Sequence, residues 1–256
     1  MFSTFHESNI KRALKNLFLK RQPNVVLLEP HLGLGDNLIC LGLIRTISEE
    51  YPHKRFYLAC LPSYFHSITW MFQESKNIFP VAVTRGREAR QLAGFLNATY
   101  QTIGINNVDL KRFDAHFYEE YQVPFEYRWT KSLVPAGPRS EELYSTLNPL
   151  NEPYILVCRT ESGNAVFDLK ISNPHNYKVI EIHPATNNIY DWTKLVECAN
   201  EIHSIDTAFF HFVENTLYGC TDKPLFYHLA RETPTKFSRR LQWNLVQYET
   251  NSNTSP

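Results

Sequence analysis

Apolar positions along the chain alternate between short β-rich runs and helical stripes. Val25-Val-Leu-Leu28 has the composition of a fully buried parallel strand. Past a glycine-containing loop, residues 37–50 read as a helix: Leu38, Leu41, Ile44, Arg45 and Ile47 are spaced for one amphipathic face, and Pro52 lies just beyond its end. The same alternation predicts strands at 55–59, 78–83 and 102–105 and helices at 64–74 and 88–96. Between Pro124 and Pro153 the pattern is interrupted by Pro124, Pro135, Gly137, Pro138, Pro149 and Pro153, which reads as a connection. A second series follows, with strands at 154–157, 178–182, 201–205 and 224–227 and helices at 191–200, 207–217 and 236–246. Strand alternating with helix implies parallel sheets with helices on their faces, hence two α/β domains, 23–148 and 149–249.

The termini differ from this pattern. Residues 5–22 place Ile10, Leu14, Leu17 and Phe18 at helical spacing among Lys11, Arg12, Lys15, Lys20 and Arg21. Such a basic N-terminal helix (1–22) either makes a weak contact with an anionic membrane surface or packs on its own domain, and the sequence leaves both open. Residues 250–256 are polar and low in complexity, as in a disordered tail.

Charge and cysteine content narrow the function classes. The chain has 256 residues, with 26 basic residues balancing 26 acidic ones, so no overall field favours nucleic acid or an anionic membrane. Its five cysteines (Cys40, Cys60, Cys158, Cys198 and Cys220) form no C-x-x-C pair, which points to free thiols in a reducing compartment. With neither a run of about 18 apolar residues nor a signal-peptide pattern, the expected location is cytoplasmic. The ten histidines show no H-x-x-x-H or H-E-x-x-H spacing, and there is no Asp-x-Asp triplet, so no metal site is expected.

The loop His31-Leu-Gly-Leu-Gly-Asp36 joins the first strand directly to a helix, where backbone N–H groups gather partial positive charge. Gly33 and Gly35 would allow a sharp turn and the close approach of a ligand. The dinucleotide fingerprint requires a third glycine where Leu38 stands and an acidic end to the next strand, and Arg55-Phe-Tyr-Leu-Ala-Cys60 has none. No Gly-Lys-Ser or Gly-Lys-Thr signals a P-loop. Asp36 remains, either as a helix cap or as a ligand-facing carboxylate.

A second strand-to-helix turn lies at Asp206-Thr207, with His211 one helical turn further on. His183-Pro184 and Asn187-Asn188 are strand-end loops that either line a pocket or form plain turns. Phe125-Glu-Tyr-Arg-Trp129 reads either as packing in the connection or as an aromatic surface that stacks on a sugar or base, with packing preferred, Glu119 and Glu120 as a solvated helix face, and Asp191 as the cap of a helix beginning at Trp192.

In these two motifs the chain resembles the GT-B glycosyltransferases, in particular the lipopolysaccharide heptosyltransferase group and its shortened relatives. Leu34-Gly-Asp36 matches the family's Gly-Asp loop, and Asp206-Thr-Ala-Phe-Phe-His211 matches its Asp-Thr-Gly-x-x-His motif, with Ala208 in the glycine's place. Arg159, after Tyr154-Ile-Leu-Val-Cys158, stands where the family has a basic residue. The resemblance implies two Rossmann-like domains facing each other across a cleft. It implies a metal-independent, inverting transfer of a sugar from a nucleotide-diphosphate donor to an acceptor hydroxyl, with the nucleotide-sugar as substrate and no cofactor. In that scheme Asp36 is the base and His31, Gly33, Gly35 and Asn37 form the acceptor side, while Arg159, His183, Asp206, Thr207, Ala208 and His211 hold the donor. The acceptor, whether glycan, lipid, protein or modified base, is not specified. Two other classes compete: a non-catalytic nucleotide or nucleotide-sugar binding module, and a nucleotide-sugar epimerase-like enzyme.

Overall fold

A computed structural model describes residues 24–105, 112–219, 222–231 and 237–248. The expected N-terminal helix, the C-terminal tail and Cys220 lie outside them. The described chain forms two compact units, 24–105 with 113–131, and 132–248.

In the first unit four parallel strands, β1 (Val25–Glu29), β2 (Arg55–Cys60), β3 (Ile78–Ala82) and β4 (Thr99–Thr102), lie in the order β3-β2-β1-β4. β1 is central and buried from Val26 to Glu29, as its apolar run predicts. It pairs Val26 with Phe56 on one side and with Thr99 on the other. Pro80, which cannot donate to a ladder, sits in the edge strand β3. The unit's helices are α1 (Leu34–Glu50), α2 (Phe65–Met71), α3 (Gly86–Phe95), α4 (Phe113–Tyr121) and α5 (Tyr127–Thr130). Ala89 and Ala93 of α3 pack on Leu27 and Ala59.

Two expectations change here. α1 begins at Leu34 rather than at 37, and it is buried on most of its circumference instead of along one face. The cause is α4, of which the sequence predicts only a solvated face at Glu119 and Glu120, and α5, which falls inside the expected connection. Tyr118 of α4 donates its phenol to Ile39 O at 2.8 Å, and the buried Arg128 of α5 pairs with the buried Asp114 of α4. A helix covered on several sides needs apolar residues all round. β4 also begins and ends earlier than expected, because Thr99–Thr102 is the stretch in register with β1.

The second unit contains β5 (Tyr154–Cys158), β6 (Lys178–Glu181), β7 (Glu201–Ser204), β8 (Leu225–Leu229) and β9 (Trp243–Gln247), all parallel, in the order β6-β5-β7-β8-β9. Its helices are α6 (Ser140–Leu147), α7 (Thr193–Cys198) and α8 (Ala208–Thr216). On one side of the sheet Phe167, Leu169, Ile171 and Tyr177 cover Ile155, Val157 and Ile205, so a long connection does the work of a helix.

Three corrections follow. The units divide at 131/132, not 148/149, because α6 belongs to the second sheet's packing: Lys194 N donates to Ser140 Oγ (2.9 Å), and Gly137 N to Tyr190 O (2.7 Å). The helix expected over 236–246 is absent among the described residues: 237–242 is irregular. Trp243–Gln247 is a strand, since Leu241 and Leu245 have helical spacing but the segment pairs with β8 from Leu225 to Leu229. Asp191 is not a helix cap. Its Oδ1 accepts Arg139 N (3.0 Å), and the cap of the short 3-10 turn Ile189–Trp192 is Asn188, whose side chain accepts Tyr190 N (3.1 Å). Asn188 is therefore a turn residue.

Candidate functional site

In open parallel sheets ligands bind beyond the carboxyl ends of the strands, where the strand order reverses. In the first unit that point lies between β1 and β4. His31 follows β1, and its Nε2–H donates to the carbonyl of Gly104, which follows β4, at 2.6 Å. The His31 ring stacks on Phe117 with centroids 5.8 Å apart. Gly104 has φ +68°, and a Cβ there would lie 1.9 Å from the Phe117 ring, so this crossing requires glycine. Its N–H donates to Glu120 Oε2 at 3.2 Å, which removes Glu120 from the expected solvated face and leaves Glu119 there.

The sharp turn ahead of α1 is not made by the glycines. His31 (φ 50°) and Leu32 (φ 60°) both adopt the left-handed conformation, whereas Gly33 is extended at φ −71°, ψ 153°. Left-handed backbone is uncommon for a leucine and persists only where packing enforces it. Buried Leu32 packs in the cluster of Leu27, Ala59 and Val83. Gly33, not Asp36, is the N-cap of α1. Asp36 stands in the first helical turn, where a carboxylate is favoured by the helix dipole. The lack of a side chain at Gly33 makes room for it, since a Cβ there would lie 2.8 Å from Asp36 Oδ2. Gly35 lies within the helix, and Asn37 is fully buried with its amide donating to Gly33 O at 2.7 Å. Asn37 thus shapes the turn from beneath.

Sequence reasoning missed Glu29 at the end of β1. Its buried carboxylate accepts the Tyr100 phenol at 2.5 Å, and burial together with this bond pushes Tyr100 up to about 12. It also lies against Gly86 at the start of α3, where a Cβ would come within 2.6 Å of Oε1.

In the second unit the order reverses between β5 and β7. Arg159, Asp206 and Thr207 flank this point. Thr207 Oγ1 is 3.6 Å from Cys158 Sγ, and burial raises that thiol to about 11. Thr207 is the N-cap of α8, with no side-chain capping bond of its own, and Ala208 is the first helical residue. Arg159 pairs with Glu181 (Nη2 to Oε1, 2.9 Å), and its Nε is buried without a hydrogen-bond partner among the described residues. His183 is exposed, donates Nδ1–H to Glu181 O (2.9 Å) and meets Trp192 edge-on. His211, at 3% exposure, packs edge-on to Phe237 with centroids 4.5 Å apart, while Thr207 on the same helix end is only half-buried.

Two residues here carry no sequence motif. Arg231, just past β8, donates from Nη1 to the Asp206 carbonyl (3.0 Å) and lies 3.7 Å from Asp206 Oδ2. Its Nε is 3.2 Å from Glu161 Oε2. The signal that would have found them is position, because both are charged residues within three positions of the carboxyl end of a strand of a parallel sheet. The edge therefore carries two guanidiniums, each held by carboxylates. Among the described residues no group of three His, Cys, Asp or Glu side chains is placed to hold a metal ion, and no helix is long and apolar enough to cross a membrane.

No family model and no curated protein matches this chain. Solved structures do resemble it. A family 9 glycosyl transferase of Veillonella parvula matches with a TM-score of 0.57 and 10% identity, over 90% of this chain and 88% of that one. The ADP-heptose LPS heptosyltransferase II of E. coli matches with a TM-score of 0.52 and 10% identity, over 88% and 91%. The likeness spans both units and gives the chain the GT-B fold, an α/β architecture of two Rossmann-like domains.

Proposed function

We propose that the chain is a glycosyltransferase that moves a sugar from a nucleotide-diphosphate donor to an acceptor hydroxyl, with inversion and without a metal. The observation that carries this reading is the position of its two motifs. Each falls at the strand-order reversal of its own sheet, the point where such folds take their ligands. The fold shared with a family 9 transferase and an ADP-heptose heptosyltransferase adds weight.

In this scheme Asp36 accepts the proton of the acceptor hydroxyl as that oxygen attacks the anomeric carbon, and the bond to the diphosphate breaks on the opposite side. General-base assistance contributes about 10²–10⁴ in rate. The backbone N–H groups of Thr207 and Ala208, with Arg159, meet the charge that builds on the departing diphosphate. His31 shapes the acceptor side by spanning the reversal point, and His183 borders the donor edge from the end of β6.

A non-catalytic nucleotide-binding module is the second reading. It is favoured by the packed His211 and by carboxylates already occupying Arg159 and Arg231. Donor turnover separates the two: ADP-, UDP- and GDP-sugars are incubated with wild type and Asp36→Asn, and nucleoside diphosphate release is followed. A transferase releases it, and the variant is slower by about 10²–10⁴ while still binding donor. Binding without turnover in both proteins refutes the enzyme.

A further inference from the structure

The second unit contains a chain of polar groups, running from an exposed backbone amide through a half-buried phenol to two buried imidazoles, that the proposed reaction does not use. Lys170 N donates to Tyr248 Oη at 2.9 Å, Tyr248 Oη lies 2.7 Å from His228 Nδ1, and His228 Nε2 lies 2.9 Å from His203 Nδ1. His203 and His228 are 2% and 1% exposed. His203 also stacks on Phe226 with centroids 4.5 Å apart and planes 9° from parallel.

The donor inventory fixes the direction of the bonds. If His203 donated Nδ1–H to His228, then His228 Nδ1–H would point at the phenol. The phenol would lose that acceptor, and His203 would turn a bare Nε2 lone pair toward the Glu201 carboxylate, whose Oε2 is 3.9 Å away. The opposite direction satisfies the Lys170, Tyr248 and His228 groups and leaves only His203 Nε2–H without a hydrogen-bond partner among the described residues, facing a carboxylate rather than turning a lone pair on it. Lys170 N–H donates to Tyr248 O, Tyr248 O–H to His228 Nδ1, and His228 Nε2–H to His203 Nδ1, while His203 Nε2–H faces Glu201. Both imidazoles are then neutral, each carrying its proton on Nε2.

This arrangement has no place for further protons. One on His228 Nδ1 deprives the Tyr248 hydroxyl of its acceptor. A second on His203 Nδ1 sets N–H against N–H at 2.9 Å. An uncompensated charge in a buried site is costly as well. The other titratable neighbours are few. Glu201 is raised by its own burial and feels His175, Asp168 lies near the Tyr248 phenol, and the Lys170 ammonium sits over the Tyr248 ring. Burial holds both imidazoles near 4.

The chain joins pieces distant in sequence. His203 is on β7 and His228 on β8, Tyr248 directly follows β9, and Lys170 belongs to the connection whose Phe167, Leu169 and Ile171 cover the sheet. We propose that Lys170, Tyr248, His228 and His203 form an acid-released latch, intact only while both imidazoles are neutral, that fastens the 161–177 connection and the C-terminal strand to the second sheet.

Two measurements on the full-length protein test the latch. Long-range ¹H–¹⁵N correlation of histidine-labelled protein should show both imidazoles as neutral Nε2–H tautomers at pH 7, titrating only below pH 5. Hydrogen exchange, corrected for the intrinsic pH dependence, should show segments 161–177 and 243–248 losing protection as those rings titrate, ahead of β5 and β7. Tyr248→Phe should show the same segments exchanging about tenfold faster at pH 7, the worth of one hydrogen bond, with little further change on acidification. An Nδ1–H tautomer at His228, titration of either ring near 6.5, or 161–177 staying protected through the titration overturns the proposal. If Tyr248→Phe does not fold, the wild-type tautomers and exchange decide the question alone.

Discussion

Replacing Glu214 with glutamine tests how the C-terminal strand is held. Glu214 lies on α8 at 0% exposure, and its carboxylate accepts three donors from the approach to β9: Arg240 N at 2.8 Å on Oε2, and Leu241 N at 3.2 Å and Trp243 Nε1 at 2.7 Å on Oε1. An amide has only one oxygen. In its better orientation glutamine keeps the pair on Oε1 and turns its NH₂ against the part-buried Arg240 N–H, depriving that donor of its acceptor at about 1 kcal/mol, the low end of the range for an unsatisfied donor. The two surviving bonds change from charge-assisted to neutral, for about 0.5–1 kcal/mol each. Relief of the carboxylate's desolvation offsets part of this, so a net loss of about 1–2 kcal/mol is expected. Urea unfolding followed by tryptophan fluorescence should show the loss in the transition of the second unit. A loss below about 0.5 kcal/mol, the scale of an ordinary surface substitution, refutes the assigned role.

Two further outcomes follow from the charges. Glu181→Gln frees the Arg159 guanidinium from a half-exposed ion pair, so affinity for a nucleoside diphosphate should rise by up to about fivefold in calorimetric titration, since such pairs are worth about 0.2–1 kcal/mol; unchanged or weaker binding removes Arg159 from the donor site. His203 and His228 are held near 4, below the unfolded value of about 6.5, so between those pH values the unfolded chain binds more protons than the folded one. Stability should therefore fall as pH drops from about 6.5 to about 4, by at most about 2.7 kcal/mol per pH unit for two protons. A stability curve flat across that window contradicts the buried neutral pair.

The sheets were legible because buried parallel strands need continuous β-rich runs: Val25-Val-Leu-Leu28 and Tyr154-Ile-Leu-Val157 admit few other readings. The C-terminal strand was not. Trp243–Gln247 is an exposed edge whose state is decided by its pairing with β8 and by the Glu214 carboxylate, neither visible in local periodicity. α6 was hidden because an eight-residue helix fits between Pro138 and Pro149 without any of the prolines interrupting it. Asp36, Arg159, Asp206 and Thr207 were singled out by motif as candidates, and each lies beside the reversal point of its sheet. Arg231 and Glu161 went unnoticed because their roles arise from proximity between segments some seventy residues apart. Nor did sequence spacing suggest that His203 and His228 meet across adjacent strands.

The central claim, that this chain binds a nucleotide-diphosphate donor, is tested most directly by thermal unfolding of the full-length protein with ADP, UDP and GDP and their sugar conjugates. A ligand at 100 times its Kd stabilises the folded state by about 2.7 kcal/mol. An upward shift is expected with at least one nucleoside diphosphate, diminished by Arg159→Gln. An unfolding temperature unmoved by every member of that panel at millimolar concentration would contradict the claim.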